Sequence, residues 1–235
     1  MLDLDGTTRS VLLRLLWKGP VRRYVKFSFG RRMFLAGKRG AHGPMLREIS
    51  VPQRYAMALE KTPPPASALV PAMYVTEAEK EWAKSFLASL FGDEVLYSSA
   101  ACLALHPFSA HPEKAWPEAH YKELCSRLDE AGVRWLVVGK GEALFPGGAR
   151  DLTNRTSLRE SAALLAACSA LVSGDSGPMH LATAVGTPVI GLFGPTVREW
   201  GFYPSGPRDR VLEKERDCRP CSLHGKKPCP RAGEG

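Results

Sequence analysis

No apolar run in this sequence approaches the roughly 18 to 20 residues that a membrane-spanning helix needs. The opening Met1-Leu2-Asp3-Leu4-Asp5 lacks the basic-then-apolar order of a secretory signal. These two absences predict a cytoplasmic protein. Acidic residues are missing between Asp5 and Glu48, a stretch that holds Arg9, Arg14, Lys18, Arg22, Arg23, Lys26, Arg31, Arg32, Lys38, Arg39 and Arg47. The formal net charge of +8 is therefore unevenly spread. Such a zone suits a solvated basic face, an anionic membrane surface, a phosphorylated acceptor or nucleic acid. Nucleic acid is not expected as a partner, because Trp17, Tyr24, Phe27, Phe29 and Phe34 form no RNA-binding motif and serve equally well as core. No internal repeat is visible.

What is present fits a soluble globular chain: 235 residues, 44% hydrophobic and 24% charged, enough for one large or two small domains. Cys102, Cys125 and Cys168 lie in apolar segments, where thiols act as small core residues. Cys218-Arg219-Pro220-Cys221 and Cys229 offer one pair at metal-knuckle spacing and a third thiol, and His224 is available as a fourth group. Zinc usually takes four ligands, and reduced surface thiols without metal are the expectation.

The segment Lys61-Thr62-Pro63-Pro64-Pro65-Ala66-Ser67 is a linker or surface loop, since three prolines remove backbone donors and fix φ. Upstream, residues 12–16 with Arg9 and Arg14 read as a short amphipathic helix, and 53–60 as another. Downstream, Thr76 caps a helix reaching about residue 90, with Glu79 at the capping-box position. From there, apolar runs of strand length alternate with helical stretches: strands at 101–106, 133–138, 170–173 and 188–193, helices at 117–131, 157–168 and 178–185. Near-continuous apolar strands separated by helices predict a parallel sheet covered on both faces, a doubly wound α/β domain. In such sheets ligands bind at the carboxyl ends of the strands.

One such end is Ser173-Gly174-Asp175-Ser176-Gly177-Pro178-Met179-His180, which leaves an apolar strand and enters an Ala-rich helix. The glycines permit a sharp turn and close approach, and Pro178 in the first helical turn sacrifices no needed hydrogen bond. Free amides and the positive end of the helix dipole make a pocket for a diphosphate, to which His180 adds a donor. A capped strand-to-helix turn without ligand is the plainer alternative. The tetrapeptide Gly174-Asp175-Ser176-Gly177 also matches that around the nucleophile of trypsin-like proteases, but here it lies in a βα crossover, and triads are recognised by geometry.

Asp175-Ser176-Gly177-Pro178-Met179-His180-Leu181-Ala182, then Gly186-Thr187-Pro188-Val189 and Leu192-Phe193-Gly194-Pro195-Thr196, strongly resemble the heptosyltransferases of glycosyltransferase family 9. His106-Pro107-Phe108-Ser109 with Lys114-Ala115-Trp116-Pro117 resembles that family's small-residue loop and Lys-x-Trp-Pro block, and 151–158 resembles its stretch before the next helix. Asp3 to Ser10 resembles its Asp-x-x-Gly-x-x-basic-Ser segment, with Arg9 as the basic, acceptor-binding member. The resemblance implies an α/β GT-B fold of Rossmann-like parallel-sheet domains, the N-terminal one incomplete here. Residues 1–95 would be the partial acceptor-side domain, and 96–235 the nucleotide-sugar-binding domain with its cysteine-containing tail. It implies transfer of a sugar, heptose from ADP-heptose, to an acidic, lipid-linked lipopolysaccharide core acceptor, with inversion and without a cofactor. The site would be cytoplasmic, with peripheral contact at the inner face of the inner membrane. Ser109, Lys114, Asp175, Ser176, Gly177, Met179 and His180 would hold the nucleotide-sugar. Lys114 would balance charge on the leaving phosphate without metal, and Glu142 would accept hydrogen bonds from ribose hydroxyls.

The resemblance also implies a strand, a glycine-rich turn and an acidic catalytic base upstream of the segment matched by Asp3 to Ser10, and a closing helix after residue 230; neither is in this sequence. A fragment, a natural truncation or completion by another polypeptide each explain that, and donor binding without turnover is the expectation for residues 1–235 alone. A catalytically silent nucleotide-binding module and a sugar-nucleotide epimerase are the competing functions.

Overall fold

The protein is described by a computed structural model that covers residues 1–37, 39–92, 102–225 and 229. It forms two compact units, Met1–Leu69 with Val197–Tyr203, and Val70–Thr196 with Pro204–Gly235.

In the first unit, β1 (Leu2–Asp3) pairs in parallel with β2 (Arg22–Arg23), and α1 (Thr8–Leu16) connects them. Asp3 is buried and closes the turn into α1. Its carboxylate accepts from the amides of Asp5 and Gly6 at 3.1 and 2.8 Å and from Ser10 Oγ at 3.1 Å, and Arg14 lies 3.4 Å away. The Gly6 amide above all, then Ser10, Asp5 and Arg14, hold this carboxyl below its ordinary range against the opposing effect of burial. The amphipathic helix read at 12–16 is thus present as α1, but none of its residues is buried: Leu12, Leu13, Leu15 and Leu16 are exposed. α2 (Ser28–Leu35) and α3 (Arg39–Glu48) pack on each other, and α4 (Val51–Ala56) opens with a capping box between Ser50 and Gln53. The helix read at 53–60 starts earlier and ends sooner than its pattern suggested.

The basic zone of this unit is partly committed internally. Arg47 donates to buried Glu199 at 2.6 and 3.0 Å, and Arg14 faces Asp3. Arg54 is fully buried; it donates to the carbonyls of Ile49 at 3.0 Å and of Leu46, Glu199 and Trp200 at 3.3 Å, and lies 5.0 Å over the Phe27 ring.

The second unit is the α/β domain that the alternating pattern predicts. α5 (Glu77–Phe91) starts at the Thr76/Glu79 capping box, which typically contributes about 1 kcal/mol. It packs on α7 (Leu158–Ala167), itself begun by a Ser157/Glu160 box. Glu79 also receives the Arg159 guanidinium, and these partners bring its carboxyl down to about 2. The sheet is parallel throughout, in the order β4 (Arg134–Val137), β3 (Cys102–His106), β5 (Ala170–Gly174), β6 (Val189–Phe193), β7 (Arg210–Glu213). Helices α6 (Glu118–Glu130) and α8 (Gly177–Ala184) complete the crossovers. Residue 101, at the start of the strand read as 101–106, lies outside the described residues.

The chain runs from β3 outward to β4 and then returns to the other side of β3 as β5, so the topological switch point lies between β3 and β5. The core beneath it holds Leu105, Tyr121, Cys125, Trp135, Val137, Leu144 and Val172, and all three apolar-segment cysteines, Cys102, Cys125 and Cys168, are buried free thiols. Among the described residues no helix is long and apolar enough to cross a membrane.

Candidate functional site

A cavity of about 670 Å³ opens at the carboxyl edge of the second unit's sheet, where β3, β4 and β5 end. Burial dictates its floor. His106, the last residue of β3, is held from below by Tyr121, whose hydroxyl donates to the His106 carbonyl at 3.1 Å. Its Nδ1 lies 3.2 Å from both Ser173 Oγ and Ser176 Oγ, which are 3.0 Å from each other. Burial pushes the imidazole down to about 4, so it is neutral at physiological pH and serves as a fixed polar strut. Opposite, the chain leaves β4 through Gly139 at φ 128°, where a Cβ would come within 2.6 Å of His106 Cδ2; only glycine lets the loop pass.

The wall facing this floor is the start of α8. Ser176 occupies the N-cap position but makes no capping bond, because its hydroxyl is drawn to His106, Ser173 and the Gly174 carbonyl. The first amides of α8 are thus left without a side-chain cap beside the cavity, together with the positive end of the helix dipole. A short turn, Pro112–Lys114, brings the Lys114 ammonium to 2.6 Å from Asp175 Oδ2, which also accepts from Thr196 Oγ1 at 3.0 Å. With side-chain exposures of 16% and 11%, this ion pair is largely withdrawn from bulk water.

Ser109, Lys114, Asp175, Ser176 and Gly177 therefore line one cavity, with Phe108, Lys140, Thr156 and Ser161 among the other lining residues. Met179 does not: it is fully buried, with its sulfur close to Gly191 of β6, because its position on α8 faces the sheet. Glu142 is exposed and lies outside the lining; the hydrogen bonds between Gly141 and Asn154, at 2.8 and 3.2 Å, shape the loop so that Lys140 lines the cavity instead. His180 is half-buried and outside the lining, its pKa lowered by burial while Asp175 and Asp209 pull it up. Arg9 is exposed on α1 in the other unit. The lining also includes His106 and Lys140, which the motifs do not single out. His106 had a signal, a polar residue closing an apolar strand, whereas Lys140 looks like any loop lysine. Among the described residues no group of three or more His, Cys, Asp or Glu side chains is arranged to hold a metal.

The neutral state of His106 has a stability consequence. Its folded pKa lies below the unfolded value near 6.5, so the unfolded chain binds the extra proton first as pH falls. The contribution is complete above about pH 6.5 and is lost toward pH 4, with a ceiling of about 3 kcal/mol. Urea midpoints of the second unit should fall across that window, and a His106→Gln variant should show a shallower fall; equal pH dependence would contradict the assignment.

Comparison with known proteins agrees with this architecture. The model of glycosyltransferase family 9 (heptosyltransferase) matches residues 1–229. Lipopolysaccharide heptosyltransferase 2 of Escherichia coli (strain K12) is 29% identical over 169 residues, 65% of this chain and 47% of the relative. The protein of the same name from Salmonella typhimurium (strain LT2) is 32% identical over 146 residues, 56% of this chain and 40% of the relative. The chain thus spans less than half the length of these two relatives. Among solved structures, E. coli ADP-heptose LPS heptosyltransferase II shares the fold with a TM-score of 0.58 at 24% identity, over 90% of this chain and 67% of that one. On the family match over nearly its whole length, the chain belongs to glycosyltransferase family 9, the heptosyltransferases.

Proposed function

We propose that the second unit binds the ADP-sugar donor of a heptosyltransferase that acts in lipopolysaccharide biosynthesis. The observation that carries this reading is the convergence of an uncapped helix start, the Lys114 ammonium and Asp175 on one cavity at the switch point of a parallel sheet. The names of the relatives, lipopolysaccharide heptosyltransferases and an ADP-heptose enzyme among them, support heptose as the sugar and ADP as its carrier.

In this reading the α8 amides and Lys114 hold the diphosphate, and the ammonium balances the charge that develops on it as the sugar leaves. Asp175, 2.6 Å from the Lys114 ammonium, keeps it aimed before the donor arrives. Ser109 and Ser176 supply hydroxyl partners, and His106 fixes Ser176 without titrating near neutrality. The acceptor is an acidic, lipid-linked core saccharide, attacked with inversion, and the basic residues of the first unit that remain exposed, Arg9 among them, face it. Asp3 is committed to the turn it closes, where its carboxylate accepts from the Asp5 and Gly6 amides and from Ser10, an arrangement that favours a structural role over that of general base.

Purified residues 1–235 incubated with ADP-heptose and heptose-deficient core glycolipid should bind the donor without turnover. A product heavier by one heptose, with inverted configuration by NMR of its anomeric proton, would contradict that expectation, and failure to bind the donor would contradict the reading itself.

A further inference from the structure

We propose that Gly225 is a positioning residue for Lys114. The inference rests on the reading of Lys114 as a ligand of the donor diphosphate, and it gives the cysteine-containing tail a task. After β7 the chain turns back through Cys218-Arg219-Pro220-Cys221 toward the cavity. Arg219 anchors that return: its guanidinium donates to the Thr196 carbonyl at 2.8 Å, to Glu213 Oε2 at 2.8 Å and to the Lys214 carbonyl at 3.0 Å. Thr196 is also the residue whose hydroxyl reaches Asp175. Beyond it, buried Ser222 accepts from the Gly225 amide at 2.7 Å and sets a tight turn.

Gly225, at φ 69°, lies directly against the stem of Lys114. A Cβ there would sit 2.8 Å from Lys114 Cγ, 3.4 Å from its Cε and 3.4 Å from Pro195 Cγ. The stem has no easy way to yield, because its root belongs to the Pro112–Lys114 turn and its tip is fixed on Asp175. The bare glycine therefore forms a wall against which the lysine stem is laid, leaving only the ammonium to be shared between Asp175 and an incoming phosphate. Any side chain at 225 displaces the stem and with it the charge.

Two measurements on the full chain test this. Lys114 acylation by acetic anhydride, followed by mass spectrometry, reads the ammonium's surroundings without any ligand; it should rise several-fold in Gly225→Ala. Calorimetry with ADP should show affinity about tenfold weaker in Gly225→Ala, corresponding to about 1.4 kcal/mol, and less than about a twofold further loss when the same change is made in Lys114→Ala. Equal losses in both backgrounds, or unchanged acylation in a folded Gly225→Ala protein, would overturn the proposal. Raised acylation with unchanged ADP affinity would keep the clamp and overturn the donor reading beneath it. If Gly225→Ala does not fold, Ser222→Ala loosens the same turn and should move both readouts in the same direction by less.

Discussion

Lys114→Ala is expected to weaken ADP binding by about 1 to 3 kcal/mol, the usual range for a charge-assisted hydrogen bond to a buried partner. The structure gives a reason to place it toward the upper end. Removing the ammonium leaves the Asp175 carboxylate, 11% exposed, with Thr196 but without its ion-pair partner, facing the cavity proposed for the diphosphate. The lost attraction is then joined by repulsion between like charges. Replacing Asp175 by Asn in the Lys114→Ala background should recover part of the loss. Calorimetry measures both, and unchanged affinity in Lys114→Ala would remove Lys114 from the site.

The second large effect concerns stability. Arg54→Ala should destabilise the first unit by about 3 to 5 kcal/mol, because a fully buried guanidinium serves the carbonyls of Leu46, Ile49, Glu199 and Trp200, and its loss strands them away from water. The guanidinium ties the segment around Trp200 to α4, together with the bond from the Val51 amide to the Gly201 carbonyl at 3.0 Å. Urea denaturation followed by hydrogen exchange of the peptides around Arg54 and Trp200, the latter packed edge-on against Phe34 at 5.8 Å, reads that unit. A midpoint close to that of the unsubstituted protein would mean that the carbonyls find other partners.

The second unit was legible because its physics is local and periodic. Strands covered on both faces are near-continuous apolar runs, and those ending at His106, Val137, Gly174 and Phe193 are, with polar residues only toward their ends at His106, Arg134 and Ser173. The capping residues Thr76 with Glu79 announce α5 in the sequence itself. Convergence of Ser109, Lys114 and the Asp175 turn followed from the same topology, since all lie just beyond strand ends.

The first unit was legible only in part. β1 and β2 are two residues each, too short for any alternation. α3 contains Gly40, Gly43 and Pro44, which disfavour helix, yet it closes on buried Gly43 and Leu46 and on the turn Arg198–Trp200. Arg47 belongs to the basic zone for which a solvated face was one reading, yet it is bound to Glu199, a residue more than 150 positions away, and Arg54 just beyond that zone is buried. Tertiary partners at that separation leave no trace in composition. The misplacements in the site have the same origin: a helix position decides that Met179 faces the sheet, and a loop turn decides that Lys140 and not Glu142 lines the cavity.

The central claim is that the cavity at the sheet's switch point holds the diphosphate of an ADP-sugar. A crystal structure of residues 1–235 with ADP tests it most directly. Phosphate oxygens within hydrogen-bond distance of Lys114 Nζ and of the first amides of α8 are the expected result. A diphosphate bound elsewhere, or a cavity left without nucleotide at saturating ADP, would contradict it.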